Sequence, residues 1–234
     1  MSMRDTELSG LAMTLSRDCG IKITVSGDDS YCAADGSHIN IARMPSTPTG
    51  RMLMTGLIFH EVGHKQYTNG SKPSGLLGDL TNIIEDIRIE ACVIKDRPGT
   101  RYDLDAVTTY YAQKGSLKPK GPASALCGYV MAHGRELMLQ QTGMRRILPG
   151  CKTMLKDAFN AQLVDKVEAL LNAQLPVLNC TRDARNLAQK LMELVRQCRD
   201  EAKQQEQSSG QDQRSNEHSQ EHSQEHSQEQ SQEQ

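Results

Sequence analysis

Residues 46–64 read STPTGRMLMTGLIFHEVGH, and this stretch decides most of the fold. Ser46-Thr47-Pro48 is typical of a helix start, because a capping hydroxyl is followed by proline in the first turn. The side chains that follow recur at helical spacing, which puts four of them on one face: Leu53, Leu57, His60 and His64. The pattern predicts an amphipathic helix over 47–69.

The end of this stretch, His60-Glu61-Val62-Gly63-His64, has the H-E-x-x-H spacing. Residues four apart lie one above the other on a helix, so the imidazoles of His60 and His64 can converge on one metal ion beside Glu61. Zinc held by neutral imidazoles lowers the pKa of a bound water toward about 7, and an adjacent carboxylate can then take its proton. The motif predicts a hydrolase with Zn²⁺ as cofactor, His60 and His64 as ligands and Glu61 as general base.

A catalytic zinc site needs a third protein ligand. Residues 82–90, NIIEDIRIE, place carboxylates in an otherwise apolar helix predicted over 79–95. Glu85 shares its face with Ile89 and Cys92, an apolar strip suited to a buried site. We therefore predict Glu85 as the third ligand, with Asp86 or Glu90 as the alternative.

The other polar residues near the motif are assigned supporting roles. Asp86 and Glu90 lie four apart on a more polar strip, where either can accept the second N–H of a ligating histidine. Arg88 would neutralise excess negative charge, and all three could equally form a solvated ion-pair face. Tyr67 or His133 is a candidate to stabilise the transition state, although each could serve only in packing.

Around these two helices the sequence predicts an α+β, mostly helical fold. Ile21–Val25 and Ser37–Ala42 alternate apolar and polar residues, which predicts a small sheet within about 20–43. His38 on the second strand is expected along a substrate groove, because an edge strand can pair with an extended peptide. A helical part is predicted over 103–203, with helices near 103–113, 123–141, 152–172 and 181–203.

Composition excludes several classes of protein. The 234 residues carry a net charge of −2, so bulk charge gives no reason to expect a nucleic acid partner. No apolar run approaches the roughly 20 residues that cross a bilayer, so no membrane partner is expected. The 7 cysteines include no C-x-x-C pair, which argues against a cysteine zinc site and fits a cytoplasmic protein.

The last part of the chain, 204–234, consists mainly of Gln, Glu, Ser and His. With almost no apolar side chain it cannot offset its ordering entropy, so we predict a disordered tail after a folded domain over 1–203. Its histidines could bind transition metals weakly. A tract of this kind often joins folded modules, which raises the prospect of a C-terminal partner domain.

Residues 60–69, HEVGHKQYTN, followed by 82–90 resemble the metallopeptidase-like N-terminal region of CobT-type proteins, relatives of the cobaltochelatase CobT subunit with phage and bacterial homologues. Those proteins carry H-E-x-x-H, a Tyr-Thr shortly after it, and an N-x-x-E-D-x-R-I-E helix. The resemblance covers roughly residues 37–95, a quarter of the chain.

Membership in this family would imply a zincin-like metallopeptidase fold of gluzincin type acting on a peptide or protein substrate. In that family the region is often followed by an acidic linker and a von Willebrand factor A domain that works with a MoxR-type AAA+ ATPase. The alternative function is therefore a zinc-binding but non-catalytic adaptor for such an ATPase or von Willebrand factor A partner. The resemblance implies zinc binding more directly than proteolysis.

Overall fold

The computed structural model describes residues 10–15, 20–33, 37–71, 73–115, 120–201 and 203–204. Over this part the chain is mostly helical with one small sheet, which confirms the predicted α+β class. The chain divides into two units, Met1–Met192 and Glu193–Gln234, and the described residues of the second unit are helical. The tail predicted over 204–234 lies, from residue 205 onward, outside the described residues.

The helices of the described residues follow one another in chain order: α1 over 10–15, α2 Pro48–Tyr67, α3 Gly75–Asp96, α4 Thr100–Gln113, α5 Pro122–Leu139, α6 Thr142–Ala158, α7 Ala161–Gln174 and α8 over 181–201. A 3-10 turn, Leu175–Val177, follows α7. None of these helices combines the length and the apolar character that crossing a membrane requires.

Helix α2 begins where its sequence predicts. The Thr47 side chain accepts a hydrogen bond from the Gly50 N–H at 3.0 Å, and Pro48 occupies the first turn, where its missing N–H costs nothing. Helix α3 begins one turn earlier than predicted. Both predicted helices that carry the candidate ligands are therefore present and continuous in the structure.

The single helix predicted over 152–172 is wrong, because two helices occupy this region. Helix α6 begins at Thr142 and continues through Pro149, a residue that usually disfavours a helix interior. The break comes at Asn160, whose side chain accepts from the Leu163 N–H at 2.8 Å and caps α7.

The sheet has three strands, β1 Lys22–Val25, β2 Tyr31–Cys32 and β3 His38–Ile41, in the order β1-β3-β2. Strand β3 pairs parallel with β1 and antiparallel with β2. The two predicted strands are β1 and β3, whereas the two-residue β2 is too short to show alternation. His38 therefore lies on the central strand, between the edge strands β1 and β2, so its expected place on an edge strand is wrong.

The sheet packs on α2 through the apolar side chains of β3. Ile39 and Ile41 are fully buried and share a core with three residues of α2: Leu57, Ile58 and Val62. Between them, the Asn40 amide donates to the carbonyl oxygens of Ser26 at 2.9 Å and Asp29 at 2.7 Å. This buried amide ties the β1–β2 connection to β3 and so positions the edge strand.

Helix α2 also contacts α4 closely at Gly56. A β-carbon built on Gly56 would lie 2.5 Å from the Asp103 carbonyl oxygen, a backbone atom that cannot move aside easily. Gly150 on α6 is the matched opposite, because a β-carbon there would meet nothing within 4 Å.

We predict that Gly56→Ala lowers the free energy of unfolding by about 1–3 kcal/mol, since overpacking against backbone exceeds the gain in helix propensity. Gly150→Ala should raise it by about 0.5–1 kcal/mol, because only the propensity gain remains. Urea denaturation followed by circular dichroism measures both. Equal effects of the two substitutions would contradict the close α2–α4 contact.

Candidate metal centre

Helices α2 and α3, which carry the candidate ligands, approach each other closely at Gly63. A β-carbon built there would lie 3.0 Å from Val93 Cγ2 and 3.4 Å from Ile89 Cδ1. A larger side chain would therefore press on both neighbours. The missing side chain lets the H-E-x-x-H turn lie directly against α3.

Three possible metal ligands meet across this contact. The His60 and His64 rings lie edge to face with their centroids 4.9 Å apart. Asp86 Oδ1 lies 3.2 Å from His64 Nε2 and 4.0 Å from His60 Nε2. One ligand atom from each residue falls within 4.8 Å of the others, a spacing that could hold a metal ion.

One oxygen of the Asp86 carboxylate forms a hydrogen bond, whereas the other has no hydrogen-bond partner among the described residues. Its Oδ2 accepts a hydrogen bond from Asn82 Nδ2 at 3.1 Å, one helical turn earlier. Its Oδ1 is buried and has no hydrogen-bond partner among the described residues. A buried polar atom without a partner is costly, and a cation between this oxygen and the histidines would satisfy it.

The Nδ1 atom of His64 is held by a chain of two hydrogen bonds. Thr68 Oγ1 lies 3.0 Å from His64 Nδ1 and 2.8 Å from Glu85 Oε1. A carboxylate only accepts, so the single hydroxyl proton of Thr68 goes to Glu85 and the Thr68 oxygen accepts from His64 Nδ1–H. The neutral His64 ring therefore directs an unprotonated Nε2 toward Asp86, as metal binding requires.

His60 is oriented in the same way by a buried carboxylate. Its Nδ1 lies 2.8 Å from Glu90 Oε1, while Glu90 Oε2 accepts from Arg135 at 2.6 Å and from Gln141 at 2.9 Å. Burial alone would raise the pKa of Glu90, but Arg135 and His60 lower it to about 2. Glu90 is thus an acceptor only, and the neutral His60 ring also presents Nε2 as a lone pair.

The charges around His60 favour a cation at this position. Burial lowers the pKa of His60, but the hydrogen bond to Glu90 and the negative charges of Asp86, Glu90 and Glu61 outweigh burial and raise it to about 9. The metal-free site therefore holds a proton at neutral pH. A metal ion would displace that proton, since ligation needs the neutral imidazole.

Glu61 is 6% exposed and lies beside β2 at Cys32. Burial raises the pKa of its carboxyl, the neighbouring His60 and His64 lower it, Asp86 raises it, and the net shift is upward. The backbone N–H of Cys32 also donates to this carboxylate. A carboxylate with a raised pKa beside two histidines is suited to take and return a proton.

The structure does not bring Glu85 to the histidines, which corrects the predicted third ligand. The Glu85 carboxylate accepts from Arg88 at 2.7 and 2.8 Å and from the Thr181 hydroxyl at 2.8 Å. The Glu85 carboxylate is thus held at the start of α8, although Ile89 on the same strip packs against α2 at Gly63. Asp86, on the more polar strip, occupies the position that the sequence predicted for Glu85.

Among the described residues, the two buried arginines pair with the two carboxylates on the Nδ1 side of the histidines, where Glu90 contacts His60 directly and Glu85 contacts His64 through Thr68. Arg88 pairs with Glu85, and Arg135 pairs with Glu90. Within the described part of the chain, Asp86 and Glu61 form no ion pair with a lysine or an arginine. The two carboxylates left beside the histidines match the charge of one divalent cation.

Neither predicted transition-state stabiliser faces this centre. The Tyr67 hydroxyl donates to Asp96, and burial together with this carboxylate raises the pKa of Tyr67 to about 12. His133 Nε2 lies 2.8 Å from Asn172 Oδ1, and its ring stacks on Tyr129 with centroids 5.5 Å apart. Both side chains are engaged elsewhere, which corrects the roles suggested for them.

Several residues of the centre were not predicted from the sequence. Asn82 could have been found, because it lies one turn before Asp86 in the same helix. Thr68 belongs to the Tyr-Thr pair of the resemblance, but that pattern gave it no role. Arg135 and Gln141 lie far from Glu90 along the chain, and no local pattern connects them with it.

No protein-family model, curated protein or solved structure matches this chain. The assignment of roles in this centre therefore rests on its own geometry. The resemblance to CobT-type proteins stays a prediction.

We predict that Asp86→Ala abolishes metal binding at this centre, because it removes the buried carboxylate oxygen that has no hydrogen-bond partner among the described residues. Glu85→Gln should lower zinc affinity only about tenfold to a hundredfold, as expected for a group that acts through Thr68. Competition of the full chain with a chromophoric chelator measures both, with His60→Ala/His64→Ala as the background for the tail histidines. The opposite ranking would restore Glu85 as the ligand.

Proposed function

We propose that this chain is a zinc-dependent metallohydrolase, specifically a peptidase of the H-E-x-x-H type. The proposed ligands are His60, His64 and Asp86, and the proposed general base is Glu61. One observation carries the proposal: one possible ligand atom each of His60, His64 and Asp86 lies within 4.8 Å of the other two, and Asp86 Oδ1 is buried without a hydrogen-bond partner among the described residues. An aspartate as third ligand departs from the glutamate type that the sequence predicts.

Zinc is the proposed ion because imidazole nitrogens with one carboxylate oxygen are a ligand set that catalytic zinc commonly takes. When bound, it would supply a Lewis acid that lowers the pKa of a water molecule toward about 7. Glu61 takes the proton of the attacking water, and its raised pKa suits it to pass that proton to the leaving amine.

A peptide substrate is supported by the edge strand beside the general base. Cys32 lies in β2, and its N–H turns away from β3 toward Glu61. An extended peptide that pairs with the open edge of a strand gains backbone hydrogen bonds without needing a particular sequence. A peptide that replaced Glu61 as the partner of the Cys32 N–H would run past this carboxylate.

The zincin-like fold, the cytoplasmic location and membership among CobT-type proteins belong to the same proposal. They are supported by the motif pair at 60–69 and 82–90, by the packing of a mixed sheet on the motif helix, and by the cysteine pattern. An AAA+ ATPase or a von Willebrand factor A domain is the partner that this resemblance suggests.

A non-catalytic adaptor is the second candidate, and one observation favours it. The two side chains predicted to stabilise a transition state, Tyr67 and His133, bind Asp96 and Asn172 instead. An adaptor would need the metal only to hold α2 against α3. The two functions differ in what they require of Glu61.

We predict that Glu61→Gln retains zinc but lowers peptide hydrolysis by about a hundredfold or more, because the amide keeps the size of the side chain and loses the base. Cleavage of a fluorogenic peptide library by the zinc-loaded full chain measures the rate. Glu136→Gln, at an exposed ion pair with Arg145, is the matched control and should change nothing. A zinc-loaded wild type that hydrolyses no peptide would favour the adaptor.

A further inference from the structure

A closed cluster of three buried polar side chains lies on the Nδ1 side of His60. Glu90 on α3, Arg135 on α5 and Gln141 just before α6 are 3%, 7% and 1% exposed. Two of the three come from outside residues 37–95, the region that carries the motifs. The inference below rests on the proposed metal site.

Each hydrogen bond in the cluster has a defined donor and a defined acceptor. Arg135 Nη1 donates to Glu90 Oε2 at 2.6 Å and to Gln141 Oε1 at 3.3 Å, and Gln141 Nε2 donates to the same Glu90 oxygen at 2.9 Å. Two donors thus occupy Oε2. The other oxygen, Oε1, is left for the Nδ1–H of His60.

Stability alone gives little reason for this arrangement. A buried ion pair loses so much hydration that well-packed apolar side chains often match or exceed it. An apolar replacement could not accept a hydrogen bond from the His60 Nδ1–H. The cluster therefore has a role that packing does not supply.

We propose that Arg135 and Gln141 are positioning residues of the metal site, which hold the Glu90 carboxylate as the hydrogen-bond acceptor of the His60 Nδ1–H and so keep the His60 Nε2 lone pair directed at the ion. A carboxylate without these donors could rotate away from Nδ1. The ring could then take the tautomer with its proton on Nε2, which blocks ligation. Helix α5 thus belongs to the site.

Zinc titration of the full chain against a chromophoric chelator tests the proposal, with His60→Ala/His64→Ala as background. Arg135→Met should lower zinc affinity about tenfold to a hundredfold. Arg135→Lys should recover most of that loss, because it keeps the charge and a donor. Arg145→Met removes an exposed arginine paired with Glu136, next to Arg135 on α5, and should leave the affinity unchanged.

Arg135→Met leaves the Glu90 charge buried and could prevent folding, so Glu90→Gln/Arg135→Met provides a variant without either charge. It should fold, as shown by circular dichroism, and still lose about tenfold to a hundredfold in zinc affinity, because an amide no longer enforces the ring proton at Nδ1. In zinc-loaded wild type, nitrogen-15 NMR should show a slowly exchanging His60 Nδ1–H. The double variant should lose this signal, which a purely structural role would not change.

The outcomes separate the two proposals. If wild type binds no more zinc than His60→Ala/His64→Ala, the proposed metal site is wrong and this inference is overturned with it. If wild type binds zinc and the folded Arg135 variants bind it equally tightly with the same Nδ1–H signal, the inference alone is overturned. Loss of affinity with rescue by Arg135→Lys supports it.

Discussion

The approach of α2 to α3 at Gly63 is the contact on which the rest of the centre depends. With only a hydrogen at this position, Val93 and Ile89 pack against the motif turn. The short aspartate side chain of Asp86 then comes within 3.2 Å of His64 Nε2. A wider spacing between the helices would have favoured a longer glutamate in the same role.

The acidic residues of the two helices lie close together, so part of their negative charge must be neutralised. Two arginines, one from α3 itself and one from α5, neutralise Glu85 and Glu90, the carboxylates on the Nδ1 side of the histidines. The remaining negative charge is concentrated where three ligand atoms converge. Because Glu90 and Thr68 each accept a hydrogen bond from an imidazole Nδ1–H, each ring in its neutral form presents an Nε2 lone pair to this charge. A divalent cation fits both the charge and the donors.

Much of the fold could be predicted because its signals are local. The hydroxyl, proline and apolar spacing of residues 46–64 are enough to define α2, since capping and periodicity depend on near neighbours. The same holds for β1 and β3. The prediction failed between 142 and 174. The start of α6 is held by a distant group, since Asp105 accepts from the Thr142 N–H at 2.7 Å, and the helix continues through Pro149. Capping and periodicity depend on near neighbours and therefore cannot predict such a distant partner.

In the candidate site, too, local features could be predicted and long-range contacts could not. The H-E-x-x-H spacing by itself put His60 and His64 on one face, because residues four apart always share a helix face. The choice between Glu85 and Asp86 needed the tertiary structure, since the two differ by about 100° around α3 and only packing fixes the rotation of a helix. Contacts with Thr181, 96 residues away from Glu85, turn that carboxylate from the histidines and leave Asp86 facing them. Sequence spacing determines which side chains share a face, whereas the neighbour that each face meets is decided by the packing of segments far apart in the chain.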